Sequence, residues 1–231
     1  MEFTRPPNVA TEREIRASYD ALFRRAPLRD SDAHYAWVAR VLSPDKGTAL
    51  LDIACGGGYF LREALARGVL AVGVDISTEA LKIARENAPG AALFCGNGES
   101  LPFGEDAFEC AVNLGSLEHF LDPARGVREM ARVLKPGGRA VLLLPNSYFL
   151  MTIFNVWRTG STGRRTEQEV DRWATRGEWT QLLVENGLRV LSVLKYNYRA
   201  RKAPLKYRLI RPFIPRDLSY CFLFVCRKAA A

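Results

Sequence analysis

Two carboxylates frame a glycine turn in this chain. Residues 50–58 read Leu-Leu-Asp-Ile-Ala-Cys-Gly-Gly-Gly, which puts Asp52 just before the turn, and a second apolar run over 70–75 ends in Asp75. An apolar strand that breaks into consecutive glycines before a helix lets a ligand lie against bare backbone. An acid at the tip of the next strand can then grip two ribose hydroxyls. The chemistry expected of this pairing is the binding of an adenosine-containing cofactor.

The glycines alone do not separate a nicotinamide dinucleotide from a sulfonium nucleoside. A dinucleotide site wants Gly-x-Gly-x-x-Gly, with a diphosphate resting on the helix N-terminus. Here Gly56 and Gly58 are followed by Tyr59, Phe60 and Leu61, so the third glycine is missing. Asp52 would repel a diphosphate and welcome a cationic amino-acid end. These features favour the sulfonium nucleoside.

The elements that must position these groups follow from periodicity. Helices are expected over 11–26, with Ile15, Tyr19, Leu22 and Phe23 on one face, and over 31–42 behind a Ser31 cap. From Thr48 onward strand and helix alternate: strands over 48–54, 70–75, 91–95, 108–113 and 139–144, and helices over 58–67, after Ser77, and over 123–134. Pro136-Gly137-Gly138 reads as the turn into the fifth strand. Such alternation gives a mostly parallel sheet covered on both faces, with ligands at the carboxyl ends of its strands. After Pro145 the pattern loosens into an aromatic-rich stretch (Tyr148, Phe149, Phe154, Trp157), a polar loop over 159–172, a helix over 178–186, and strands near 188–198 and 218–227.

The 231 residues suit one domain, read as a helical lid (1–46), a cofactor-binding core (47–145) and a substrate-side insertion with the last strands (146–231). Five cysteines without a Cys-x-x-Cys pair read as reduced thiols of a cytoplasmic protein. No signal-peptide core and no apolar run near ~20 residues is present, so any membrane contact is expected to be peripheral. The net charge of +8 is local: residues 195–216 carry eight cations (Lys195, Arg199, Arg201, Lys202, Lys206, Arg208, Arg211, Arg216) and no acid, leaving 25 against 25 elsewhere. Over 199–216 these cations alternate with apolar residues and three prolines, a mixture that suits an anionic membrane surface, a phosphate-bearing substrate or RNA, or simply a solvated loop.

With these residues in view the chain resembles the class I S-adenosylmethionine-dependent methyltransferases, in the small-molecule, methyltransferase type 11-like group. The likeness rests on the glycine turn with Asp75, on Gly96-Asn-Gly-Glu-Ser-Leu-Pro-Phe103 as an adenine loop, on Phe108-Glu-Cys-Ala-Val112, and on Glu129-Met-Ala-Arg-Val-Leu-Lys-Pro-Gly-Gly138. It implies a Rossmann-like, doubly wound, mostly parallel seven-stranded sheet with an antiparallel last strand and N-terminal lid helices. It also implies S-adenosyl-L-methionine as cofactor. By position, Asp52, Ala54 and Gly56 would surround the methionine end, Asp75 the ribose, Ile76 one adenine face, and Asn97 with Gly98 the adenine edge. Cys55, Gly58 and Asn113 complete the expected cofactor contacts, and no metal site is expected.

Three positions depart from the family's commonest pattern. Ala54 replaces a frequent glycine and is tolerable with a negative φ. Asn97 replaces Asp, at a cost of about 1 kcal/mol in affinity. Glu109 replaces Asp at a structural position.

His119, in the rim after the fourth strand, is the candidate general base, with an unperturbed pKa near ~6.5, against the alternative of a packing residue. Glu118 is expected to be structural, His34 a packing or surface residue, and Tyr19, Tyr35 and Trp37 either lid or core. Cys55 is expected to matter for its small size, since methyl transfer needs no covalent enzyme intermediate. The expected activity is methyl transfer to a small-molecule or lipid-linked acceptor, with peripheral anionic membrane contact through 199–216. The rivals are an RNA methyltransferase, disfavoured by the lack of an added RNA-binding domain, and a non-catalytic membrane-associated binding protein; DNA is not an expected partner.

Overall fold

In the computed structural model, which describes residues 11–26, 28–162, 170–197 and 209–229, a seven-stranded sheet has the order β3-β2-β1-β4-β5-β7-β6. The strands are β1 (Ala49–Ile53), β2 (Leu70–Asp75), β3 (Ala92–Cys95), β4 (Phe108–Leu114), β5 (Leu134–Pro145), β6 (Leu188–Tyr196) and β7 (Cys221–Lys228). The first five pair in parallel, while β7 runs antiparallel between β5 and β6. This is the expected doubly wound sheet with its antiparallel last strand.

Alternation along the central strands assigns successive side chains to opposite faces. Leu51, Ile53, Leu142, Phe222 and Phe224 pack with Met130 of helix α5 (Pro123–Val133) and Trp179 of helix α7 (Arg176–Glu185) on one face. Leu50, Val141 and Leu223 pack on the other with Val38 and Leu42 of helix α2 (Asp32–Leu42) and Phe60 and Leu61 of helix α3 (Tyr59–Leu65). Both faces of β1 are thus covered, as a central parallel strand requires.

Helix starts follow their caps. The Thr11 side chain and Glu14 form a capping box on helix α1 (Glu12–Arg25), and Ser31 and Ser77 cap α2 and helix α4 (Thr78–Asn87). Asp122 with Pro123 opens α5.

Two expectations are corrected. The fifth strand starts at Leu134, not 139: Phe108 pairs with Leu134 and Cys110 with Arg139, so Lys135-Pro-Gly-Gly138 bulges out of a continuous strand. Glu109 holds that bulge, accepting from Lys135 Nζ and, at 2.8 Å, from the Ala49 amide. Second, the aromatic-rich stretch after Pro145 is a helix, α6 (Leu150–Thr159), which the sequence pattern did not disclose. Its N-cap residue Phe149 supplies no side-chain cap and none of its residues is buried, so neither of the usual signals marks it.

Candidate active site

The sheet order reverses between β1 and β4, and a cleft of about 1120 Å³, open to solvent, lies beyond the carboxyl ends of the strands there. Asp52, Ala54, Cys55, Gly56, Asp75, Ile76, Asn97, Gly98 and His119 all line it.

The turn from β1 into α3 is built from left-handed residues: Ala54 (φ 60°), Gly56 (φ 51°) and Gly58 (φ 74°). The expectation of a negative φ at Ala54 is therefore wrong. The turn demands the left-handed region there, and alanine adopts it at a cost of about 1–2 kcal/mol. Gly58 does not line the cleft either. A Cβ there would stand 2.9 Å from Ala84 Cα, so its role is the close approach of α3 to α4.

Asp75 is 6% exposed and accepts from the Gly56 amide and the Ser77 amide, each at 2.8 Å, one through each oxygen. Each oxygen keeps a second lone pair for a ligand. Burial raises its pKa to about 6 against the lowering effect of the backbone N–H groups of Ser77, Gly56 and Ile76. Asp52 is 3% exposed, and no protein hydrogen bond to its carboxylate is seen among the described residues. Burial first, and the Asp75 charge second, raise its pKa well above the ordinary carboxylate value. Among the cleft-lining residues Glu12, Asp52, Asp75 and Glu99 are acidic, and none is Lys or Arg.

The Cys55 side chain packs where a Cβ on Gly73 would meet Sγ at 2.8 Å, and burial pushes its thiol well above the ordinary range. It is an unreactive small residue under the turn. Asn97 accepts the Glu99 amide through Oδ1 at 2.9 Å and donates through Nδ2 to Glu12 of α1 at 3.3 Å, leaving one lone pair on its oxygen. Asn113 is corrected outright: it is buried outside the cleft, donating to the Ile53 carbonyl (3.1 Å) and accepting the Leu117 amide (2.9 Å). It ties the tips of β1 and β4 to the rim that follows.

That rim carries His119, whose Nδ1 lies 2.6 Å from the Val170 carbonyl. A carbonyl only accepts, so Nδ1 bears the proton and Nε2 keeps a lone pair. Burial lowers the imidazole pKa, favouring the neutral ring. Glu118 beside it is fully enclosed, and burial raises its pKa to about 8, which keeps it a neutral acid. Arg172 clasps the same rim, donating to the Phe120 carbonyl and, at 3.1 Å, to the Leu121 carbonyl.

Several contributors were not anticipated. Asp20 accepts from Ser77 Oγ at 2.6 Å and from the Glu79 amide at 3.1 Å, pinning α1 over the N-terminus of α4. Ile15, Tyr19 and Phe23 of α1 thereby line the cleft. Glu99 accepts the Leu121 amide at 2.7 Å, joining the loop after β3 to the rim. These partners lie tens of residues apart, so no local spacing marks them. Tyr35 also lines the cleft, whereas Trp37 stacks on Tyr196 at 5.8 Å, and His34 is a packing residue enclosed by Tyr35, Trp37 and Tyr196. Among the described residues no set of three metal-ligating side chains is assembled, and no helix is long and apolar enough to cross a membrane.

Comparison with known proteins supplies the family. A methyltransferase-domain family model matches residues 51–142. The chain is 30% identical over 186 residues to the ubiquinone biosynthesis O-methyltransferase of Coxiella burnetii, covering 77% of this chain and 76% of that one. It is 36% identical over 135 residues to the demethylmenaquinone methyltransferase of Corynebacterium kroppenstedtii, covering 55% of this chain and only 58% of the relative's length. Among solved structures, the [4+2]-cyclase SpnF superposes with a TM-score of 0.70 at 19% identity, covering 99% of this chain and 100% of that one. The putative methyltransferase solved with the Haloferax volcanii Trm112 activator gives 0.69 at 20% identity, covering 94% and 98%. At such identities the structural likeness speaks for the fold alone, and a fold shared with a cyclase leaves the reaction to be argued from the site. Fold, glycine turn and sequence relatives together make this chain a member of the class I S-adenosylmethionine-dependent methyltransferases.

Proposed function

We propose that this protein transfers a methyl group from S-adenosylmethionine to a small-molecule acceptor held at the His119 rim. The carrying observation is the charge of the cleft: four carboxylates, no Lys or Arg, and in Asp52 a buried carboxylate without a hydrogen-bond partner among the described residues. Such a group is costly unless a cation meets it. The ammonium end of the cofactor's methionine part fits that need, whereas a diphosphate or a polynucleotide backbone does not.

The cofactor, when bound, supplies a methyl group already activated by positive sulfur. The residues need only bind, align and exclude water. Asp52, Ala54, Cys55 and Gly56 surround the methionine end. Asp75 takes the ribose hydroxyls with its free lone pairs, and Ile76, Asn97 and Gly98 border the adenine. The lid of α1 covers this half. His119 Nε2, kept unprotonated by the Val170 bond at Nδ1, receives the proton of an acceptor hydroxyl or amine. Leu114, Ser116 and Phe120 line the cleft beside His119 and border the place for the acceptor.

The finer reading is a lipid-linked acceptor taken at an anionic membrane. It is supported by the acid-free basic run over 195–216 and by quinone-pathway methyltransferases among the relatives. Residues 198–208 of that run lie outside the described residues. Lys195 is spent inside the fold, donating to the Pro212 and Ile214 carbonyls, and Arg216 pairs with Asp217.

Calorimetry with S-adenosylmethionine tests the cofactor reading, and an absence of binding overturns it. A radiolabelled-methyl assay on a cell extract, separated into lipid, aqueous, RNA and protein fractions, tests the acceptor class. Label in RNA or protein refutes the small-molecule reading, and label in the aqueous fraction alone refutes the lipid-linked one.

A further inference from the structure

Helix α6 is anomalous for a globular protein: Ile153, Phe154, Val156 and Trp157 are all exposed, Trp157 by 80%, and no residue of the helix is buried. These four lie at spacings that share one broad face of a helix. A second exposed apolar group lies within the basic run, where Leu209, Ile210 and Phe213 stand out and Phe213 is 83% exposed. Single exposed apolar residues need no explanation, but two clusters of this size do.

The two clusters leave the sheet at one corner. Pro145, at the end of β5, is paired with Cys221, at the start of β7. Asn146 donates to the Asp217 carbonyl at 3.0 Å and the Ser219 carbonyl at 2.8 Å, and the Phe149 and Tyr220 rings meet edge to face at 5.2 Å. The excursion that carries α6 returns at Val170 and Arg172, the residues that hold His119 and its rim. The apolar face therefore belongs to the same insertion that shapes the acceptor side of the cleft.

We propose that α6 and residues 209–213 together form a membrane-docking rim that inserts its aromatic side chains into the interface of an anionic bilayer. Charge complementarity selects this occupant. The helix carries Arg158 and no acid, Arg211 and Arg216 flank Phe213, and the eleven residues before Leu209 contain five further cations and no acid. Aromatic groups between basic residues fit an interface where apolar tails lie below anionic headgroups. A second copy of this chain would instead bring the same positive charge against itself. The inference deepens the lipid-linked reading above by naming the docking element, and it extends the surface beyond the basic run to a helix.

The test is cosedimentation of the full chain with phosphatidylcholine vesicles, with and without phosphatidylglycerol. The comparison uses a variant carrying Phe154→Ser, Trp157→Ser and Phe213→Ser. Wild type is expected to bind anionic vesicles at least about tenfold more tightly than neutral ones. The variant is expected to lose at least about tenfold of that binding, since each inserted ring contributes roughly that factor. All three residues are exposed, so the variant should keep wild-type thermal stability and S-adenosylmethionine affinity, which separates lost docking from lost folding or lost cofactor binding. Equal negligible sedimentation with both vesicles overturns the proposal. So does undiminished binding by the variant, or a concentration-dependent dimer that only the wild type forms. If docking holds while the methyl label of the extract assay appears only in water-soluble product, the rim stands and the lipid-linked acceptor falls.

Discussion

Replacing Asp52 with asparagine should move ligand affinity and ligand-free stability in opposite directions. The wild-type carboxylate is 3% exposed, faces the cleft and has its pKa raised well above 3.8, burial being the main cause. The scale is visible in its neighbour. Asp75, raised from 3.8 to about 6, carries about 3 kcal/mol of penalty at neutral pH, at roughly 1.4 kcal/mol per pKa unit. A group whose folded pKa exceeds its unfolded value contributes stability that is fully present below the unfolded pKa and lost as pH rises through the folded one. The Asp52→Asn variant escapes that loss. It should match wild type near pH 4 and exceed it by at least about 1 kcal/mol near pH 8, where the removed charge outweighs an imperfectly bonded amide. Cofactor affinity should fall about 10- to 150-fold, the worth of one hydrogen bond to a charged group at about 1.5–3 kcal/mol. In the wild type that affinity should climb with pH above 3.8 as the cleft carboxylates ionise to meet the cation. Urea unfolding across pH and calorimetry with S-adenosylmethionine measure the two effects. A dissociation constant within about twofold of wild type, or a ligand-free variant less stable near pH 8, would refute the assignment of an unpaired carboxylate awaiting a cation.

Three further outcomes follow from the site. His119→Gln should lower kcat by about 10²–10⁴ and leave the cofactor dissociation constant within about threefold; wild-type kcat should fall on acidification below the ordinary imidazole range, because burial lowers the His119 pKa, and a variant with unchanged rate and pH profile would refute the base. Ala54→Gly should stabilise the protein by about 0.5–1 kcal/mol in urea unfolding, since relief of the left-handed strain exceeds the extra entropy of an unfolded glycine; a loss of stability would show that the φ of 60° is not strained. Gly98→Ala should cost about 1–3 kcal/mol and weaken cofactor binding, because its Cβ would stand 2.4 Å from Phe120 Cζ, and the same ring also packs closely on Gly126; unchanged stability and affinity would mean that Phe120 is free to move.

The sheet was legible because each of its signals is local. Alternating strand and helix periods, Ser and Asp caps, and left-handed glycines mark their elements within a few residues. What was missed depends on distant partners. The Lys135–Gly138 segment reads as a turn by composition and becomes a bulge because Glu109 holds it from the neighbouring strand. Helix α6 was invisible because it has neither a side-chain cap nor a buried face.

The sequence by itself determined one wall of the cleft: the glycine turn, Asp52 and Asp75 are specified by backbone constraints acting over a few positions. Only the tertiary structure decided that Ala54 is left-handed, that Asn113 and Gly58 serve the frame and not the cleft, that Asp20 pins α1 to α4, and that Val170 sets the His119 tautomer. Apart from the φ of Ala54, each of those facts is a pairing between segments separated by tens of residues. Such pairings exist only after the sheet has brought the strand ends together, so no spacing along the chain encodes them.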